Sequence, residues 1–175
     1  MTALDELITD TLAAADGEIV NTWLQKIFYL LEQAGMKSGV AYHYHHYGPY
    51  SRQLDEALDR AQALHSIQEK IAYRQTDGMP YSIFSLHKEE GSGGSEKMGK
   101  LPFEEARELV AAMKTQSSTV LELAATIHWL DKVEKKSDWK RELIRRKGMK
   151  TEHGRMEEAV ALLKRLRLSP DQRIP

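Results

Sequence analysis

A chain of 175 residues with 41% hydrophobic and 29% charged side chains has the material for one globular domain with its own core. It contains no cysteine, which excludes disulfides, thiolate metal sites and a cysteine nucleophile. The net charge of −1 hides a polarity: residues 1–50 carry six acidic side chains against two basic, residues 139–167 ten basic against four acidic. The C-terminal part is thus the one suited to an acidic partner.

Leu4, Leu7, Ile8, Leu12 and Ala15 recur at helical spacing behind Thr2, a cap candidate, and Asp16-Gly17 ends that helix. Val20, Trp23, Leu24, Ile27, Leu30, Leu31 and Ala34 form a second, wider stripe that Phe28 and Tyr29 broaden and Gly35 stops, so this helix is expected to be central. Val40 to Tyr47 is rich in aromatics and reads as a strand, with Tyr42, Tyr44 and His46 on one face and His43, His45 and Tyr47 on the other. Gly48-Pro49 turns the chain, and Ser51 caps a third helix with Leu54, Ala57, Leu58, Ala61 and Leu64 inward.

Ile71 to Thr76 and Tyr81 to Leu86 are strand-like runs joined by Asp77-Gly78-Met79-Pro80, a good hairpin loop. A helix followed by a hairpin is the outline of a winged-helix module. Gly91 to Ser95 marks a flexible linker. Pro102 suits the first turn of a fourth helix, and Thr119 with Glu122 has capping-box spacing. Val120 to Val133 is apolar nearly all round and reads as a buried helix. Asp138 caps a short helix ending at Gly148, and a last helix starts near Glu152.

These elements predict a mainly α (α+β) fold: a compact helical domain of six to seven helices with a small antiparallel sheet or winged hairpin. Residues 1–90 form a helical half with strand and hairpin, 91–101 a flexible loop, 102–168 C-terminal helices on the same core, and 169–175 a tail. No apolar run approaches the ~20 residues of a membrane span and no basic-then-apolar leader opens the chain, so no membrane partner and a cytoplasmic location are expected.

Leu24-Gln25-Lys26-Ile27-Phe28-Tyr29-Leu30-Leu31, then Tyr47-Gly48-Pro49-Tyr50-Ser51 before a Leu54, Leu58 helix, then Leu121 to Ile127, together resemble the SocA/Panacea antitoxin-like domains and their uncharacterised bacterial relatives. The similarity runs from about residue 4 to 167. It implies a mostly helical domain with a small sheet or wing. It also implies a protein that binds and neutralises a toxin, or hands a protein to a protease.

Four tyrosines and three histidines fall within Tyr42 to Ser51. Tyrosine is enriched in binding hot spots, and His43, His45, Tyr47, Tyr50 and Arg52 are the expected partner contacts, with Tyr42 and Tyr44 partly inside. His43 and His45 alone make an incomplete metal site, and no metal or other cofactor is expected. Gly94 to Leu101 falls short of a phosphate-binding loop, because Leu101 stands where serine or threonine should hold magnesium. His128 with Asp131, and Glu134 with Lys136, have only helical spacing, so no enzymatic activity is expected. The alternative is a winged-helix DNA-binding transcriptional regulator, with Arg74, Lys140, Arg141, Arg145, Arg146 and Lys147 as candidate nucleic-acid contacts. Asp55, Glu56 and Asp59 on the third helix speak against it, since a reader helix should not repel phosphates.

Overall fold

The computed structural model describes residues 3–87 and 96–170. Thr2 and Gly91 to Ser95 lie outside the described residues. The fold is mainly helical with small antiparallel sheets, as expected, and the described residues hold seven α-helices. No helix among them is long and apolar enough to cross a membrane.

Two helices carry the core. Helix α1 spans Ala3–Ala14, strand β1 Glu18–Val20 and helix α2 Asn21–Leu31. Every residue of α2 from Ile27 to Leu31 is buried, as the wide stripe predicts, and so is Lys26. Helix α5, Ser118–His128, is buried on all sides from Val120 onward and packs on α2. Its cap is Ser117, whose Oγ accepts from the Val120 amide at 3.2 Å, not the Thr119–Glu122 box. Ser117 wins because Glu122 is buried and its carboxylate is used elsewhere. A π turn, Trp129–Val133, continues α5.

The aromatic stretch is a hairpin and not one long strand. β2 is His43–His45 and β3 is Gly48–Tyr50, with His43 opposite Tyr50 and Tyr44 opposite Pro49. Inside-outside alternation holds from Tyr42 to His45 and stops at His46-Tyr47, both exposed in the turn. Ser51 caps α3 (Arg52–Ala63) through the Leu54 amide, 3.3 Å.

β4 (Ile67–Tyr73) and β5 (Pro80–Leu86) form the second hairpin, and β5 also pairs with β1, giving the sheet order β1-β5-β4. The order is helix, strand, helix, the β2–β3 hairpin, helix and the β4–β5 hairpin, so the expected wing is present with an extra hairpin inserted between α2 and α3. The near half of the sheet is core, with Ile19 opposite Phe84, while Ile71, Tyr73 and Met79 at the far end are more than half exposed.

Residues 96–102 form a docked hairpin and not a solvated loop. β6 (Lys97–Met98) pairs with β7 (Leu101–Pro102), and Met98 and Leu101 are buried. The Lys100 amide donates to the Met36 carbonyl at 2.9 Å. Helix α4 (Phe103–Lys114) begins one residue after Pro102. Asp138 caps α6 (Trp139–Lys147), with the Arg141 amide 3.2 Å from its Oδ1. A 3-10 turn, Gly148–Thr151, delays α7 to Arg155–Arg165, so the last helix starts after Glu152.

Candidate functional site

The β2–β3 hairpin sorts its rings by face. His43, His45 and Tyr50 share the outer face, where the His45 and Tyr50 rings lie 4.5 Å apart. Tyr47 at the turn is 64% exposed, and Arg52 opens α3 beside Tyr50 with its side chain 84% exposed. Four of the five expected partner contacts thus lie on one continuous outer surface, and Tyr47 caps its end.

What the sequence did not reveal is how firmly that hairpin is held. Gln25 on α2 behaves like one more strand residue: its Nε2 donates to the Ser51 carbonyl (2.9 Å) and its Oε1 accepts from the Ser51 amide (3.0 Å). The same Nε2 reaches Asp55 Oδ1 at 3.0 Å, and the other Asp55 oxygen accepts the Tyr50 hydroxyl. That acceptor pushes the Tyr50 phenol above its usual range. Gln53 Oε1 accepts from the Ala41 amide at 2.8 Å, and Glu32 gathers Ser38 and Gly39. A glutamine inside an apolar helical stripe was the one signal in the sequence for this lock.

Beneath the hairpin lies an aromatic layer. Tyr42 meets Tyr29 edge to face at 4.9 Å, and the Tyr29 hydroxyl sits 2.7 Å from His128 Nδ1. His128 is buried and hydrogen bonded to Tyr29. Burial lowers its pKa from 6.5 to about 4, with Asp131 opposing and Lys132 assisting. Burial likewise raises the Tyr29 and Tyr42 phenols well above their usual range.

The basic run of α6 belongs to the same assembly. The Arg146 guanidinium lies 4.8 Å over the Tyr44 ring and makes two 2.7 Å bonds to the Glu134 carboxylate. Arg145 and Arg146 both bond Glu142, which pulls its pKa down to about 2. Lys147 is buried: its Nζ donates to the His46 carbonyl (3.0 Å) and lies 3.3 Å from Glu122. Lys150, the last residue of the basic run, meets the same Glu122 oxygen at 3.0 Å and stands 5.1 Å over Tyr47.

The candidate nucleic-acid contacts therefore divide. Arg146 and Lys147 are interior clamps between α6 and the hairpin. Arg145 is exposed but paired with Glu142, and Arg74 is paired with Asp77 inside its own loop at 2.8 Å. Lys140 and Arg141 remain exposed on α6, which packs on α5, while Arg74 sits on the other hairpin beside α1, α2 and α3. Among the described residues, no three histidine, aspartate or glutamate side chains gather to hold a metal ion. Comparison with known protein families and with curated proteins gives no match to this chain.

Proposed function

We propose that this chain is a non-enzymatic protein-binding module that grips its partner with the outer face of the β2–β3 hairpin. The manner is that of an antitoxin or a proteolysis adaptor, as the SocA/Panacea resemblance implies, and the partner is a toxin or a protease substrate. One observation carries this reading: His43, His45 and Tyr47 stand exposed, and Tyr50 half-exposed, on a hairpin that Gln25 and Lys147 fix from below. Aromatic anchors that are already immobile lose little entropy on binding, and this is the usual make-up of a hot spot.

The order of helices and strands supports a second reading, a winged-helix regulator that binds DNA. Its weakness is charge. On α3 the exposed Arg52 is paired with Glu56 at 3.0 Å and Arg60 with the buried Asp5 at 3.2 Å. Asp55, Glu56 and Asp59 outnumber these two arginines on the helix that would face phosphates.

Affinity capture from lysate of the native host, with and without nuclease treatment, separates the two. The first reading expects one stoichiometric protein, reduced at least tenfold by Y47A/R52A and unchanged by K140A/R141A. Capture of nucleic acid alone, or loss with K140A/R141A only, selects the second.

A further inference from the structure

Where α4 and α7 pack together they leave an open cleft of about 380 Å³, closed on a third side by the turn Glu32–Met36 that follows α2. Glu105, Glu108 and Leu109 line it from α4, at the three- and four-residue spacing of one helix face. Arg165 and Arg167 line it from the C-terminal end of α7. Leu166, between the two arginines, is buried and Leu109 half-buried, so the base of the cleft is apolar while all four charged side chains are exposed. The charges on the two walls are complementary but do not meet. Among the described residues, none of these two carboxylates and two guanidiniums makes an ion pair or a side-chain hydrogen bond. Arg107, which does not line the cleft, is by contrast paired with Asp16 at 3.8 Å. Backbone geometry fixes the root of Arg167: its φ is +60°, in the place after a helix where glycine is usual, and the next amide, Leu168, donates to the Leu163 carbonyl at 2.8 Å.

We propose that this cleft binds a short zwitterionic peptide, with the peptide carboxylate on Arg165 and Arg167 and its ammonium on Glu105 and Glu108. The two walls decide the class of ligand. A simple anion would satisfy the arginines and sit opposite two carboxylates, and a simple cation would meet the reverse repulsion. A molecule charged oppositely at its two ends satisfies both walls, and an apolar middle covers Leu109 and Leu166. Guanidinium forks match a carboxylate in geometry as well as in charge. The volume sets the length. At about 30 Å³ for each water-sized group, the cleft has room for on the order of a dozen such groups, the size of a dipeptide. The cleft shares no residue with the β2–β3 hairpin, so this inference stands apart from the protein-binding reading.

Calorimetric titration of the full chain with the dipeptide alanyl-leucine tests it, alongside the same peptide acetylated at its amino end or amidated at its carboxyl end. Saturable binding of the free dipeptide is expected, weakened at least tenfold by either modification. E105Q/E108Q should weaken the free dipeptide and abolish the discrimination against the acetylated one. R165Q/R167G should do the same for the amidated one. R167G by itself places glycine where the backbone is already left-handed, so it should melt no lower than the parent chain and still bind less tightly. K140A/R141A, on α6, should leave all three affinities unchanged. The proposal is overturned if the dipeptide shows no saturable binding, or if either modified peptide binds as tightly as the free one. It also fails if discrimination survives in the cleft variants, or if K140A/R141A loses as much affinity as they do.

Discussion

His128 shows what a single buried titratable side chain does to this fold. Its pKa is about 4 when folded against 6.5 when free, so between those values the unfolded chain binds a proton that the native chain does not. Stability therefore falls as pH drops from about 6.5 to 4 and levels off below. The contribution is about 3 kcal/mol across that window. Denaturant midpoints measured at pH 7, 5.5 and 4 should decline accordingly, and H128Q should flatten that segment of the profile. If H128Q keeps the full slope, the imidazole is not the group responsible. A histidine in an apolar helix was visible in the sequence, but its hydrogen bond to Tyr29, 99 residues away, was not.

Among the elements, the two small hairpins are held by specific contacts more than by their length. Gly99, at φ +60°, lets the β6–β7 turn lie against α2's end, and a Cβ there would come within 2.1 Å of the Met36 carbonyl oxygen. G99A should expel this hairpin, uncover Met98 and Leu101, and cost about 3 kcal/mol or more in a melting experiment. No loss of stability would mean that residues 96–102 are not docked. The β2–β3 hairpin depends instead on Arg146, whose planar fork satisfies Glu134 while its face covers Tyr44. R146A should cost about 2 kcal/mol, and R146K should recover little of it, because an ammonium cannot reproduce two parallel bonds. Full rescue by lysine would reduce the site to simple charge.

For the whole molecule, the question is whether the polarised charge is a surface field or an internal cement. Part of the basic excess of residues 139–167 is spent on internal pairs, Arg146 on Glu134 and Lys147 and Lys150 on Glu122, while Arg145 pairs with Glu142 at the surface. Lys140, Arg141, Lys164, Arg165 and Arg167 stay exposed outside these pairs. A partner gripped by the hairpin rings and not by this basic face should be captured with less than about a threefold change between 50 and 300 mM salt, since exposed pairs are screened and aromatic burial is not. A phosphate-driven complex would lose several orders of magnitude over a similar range. A steep salt dependence of protein capture would sink the aromatic-anchor reading.

The helices, the wing and the outward pair His43 and His45 follow from local periodicity, which depends only on residues a few positions apart, while Tyr50 takes the place expected for Tyr47 on their face through its pairing opposite His43. The strand expected from Val40 to Tyr47 stops at His45, and the turn falls at His46-Tyr47 and not at Gly48-Pro49, because Gly48 at φ +100° already lies in β3, fitted closely beside Thr126. That restraint comes from α5, almost 80 residues later in the chain, so no local window contains it. The same holds for the basic run of α6. Its composition suggests a phosphate-facing surface, while packing against Glu122, Glu134 and Tyr44 turns Arg146 and Lys147 inward. Local pattern determines which segments fold and which side of each is apolar. Which charge meets which is set by long-range contact, and that decided what the conspicuous residues are for.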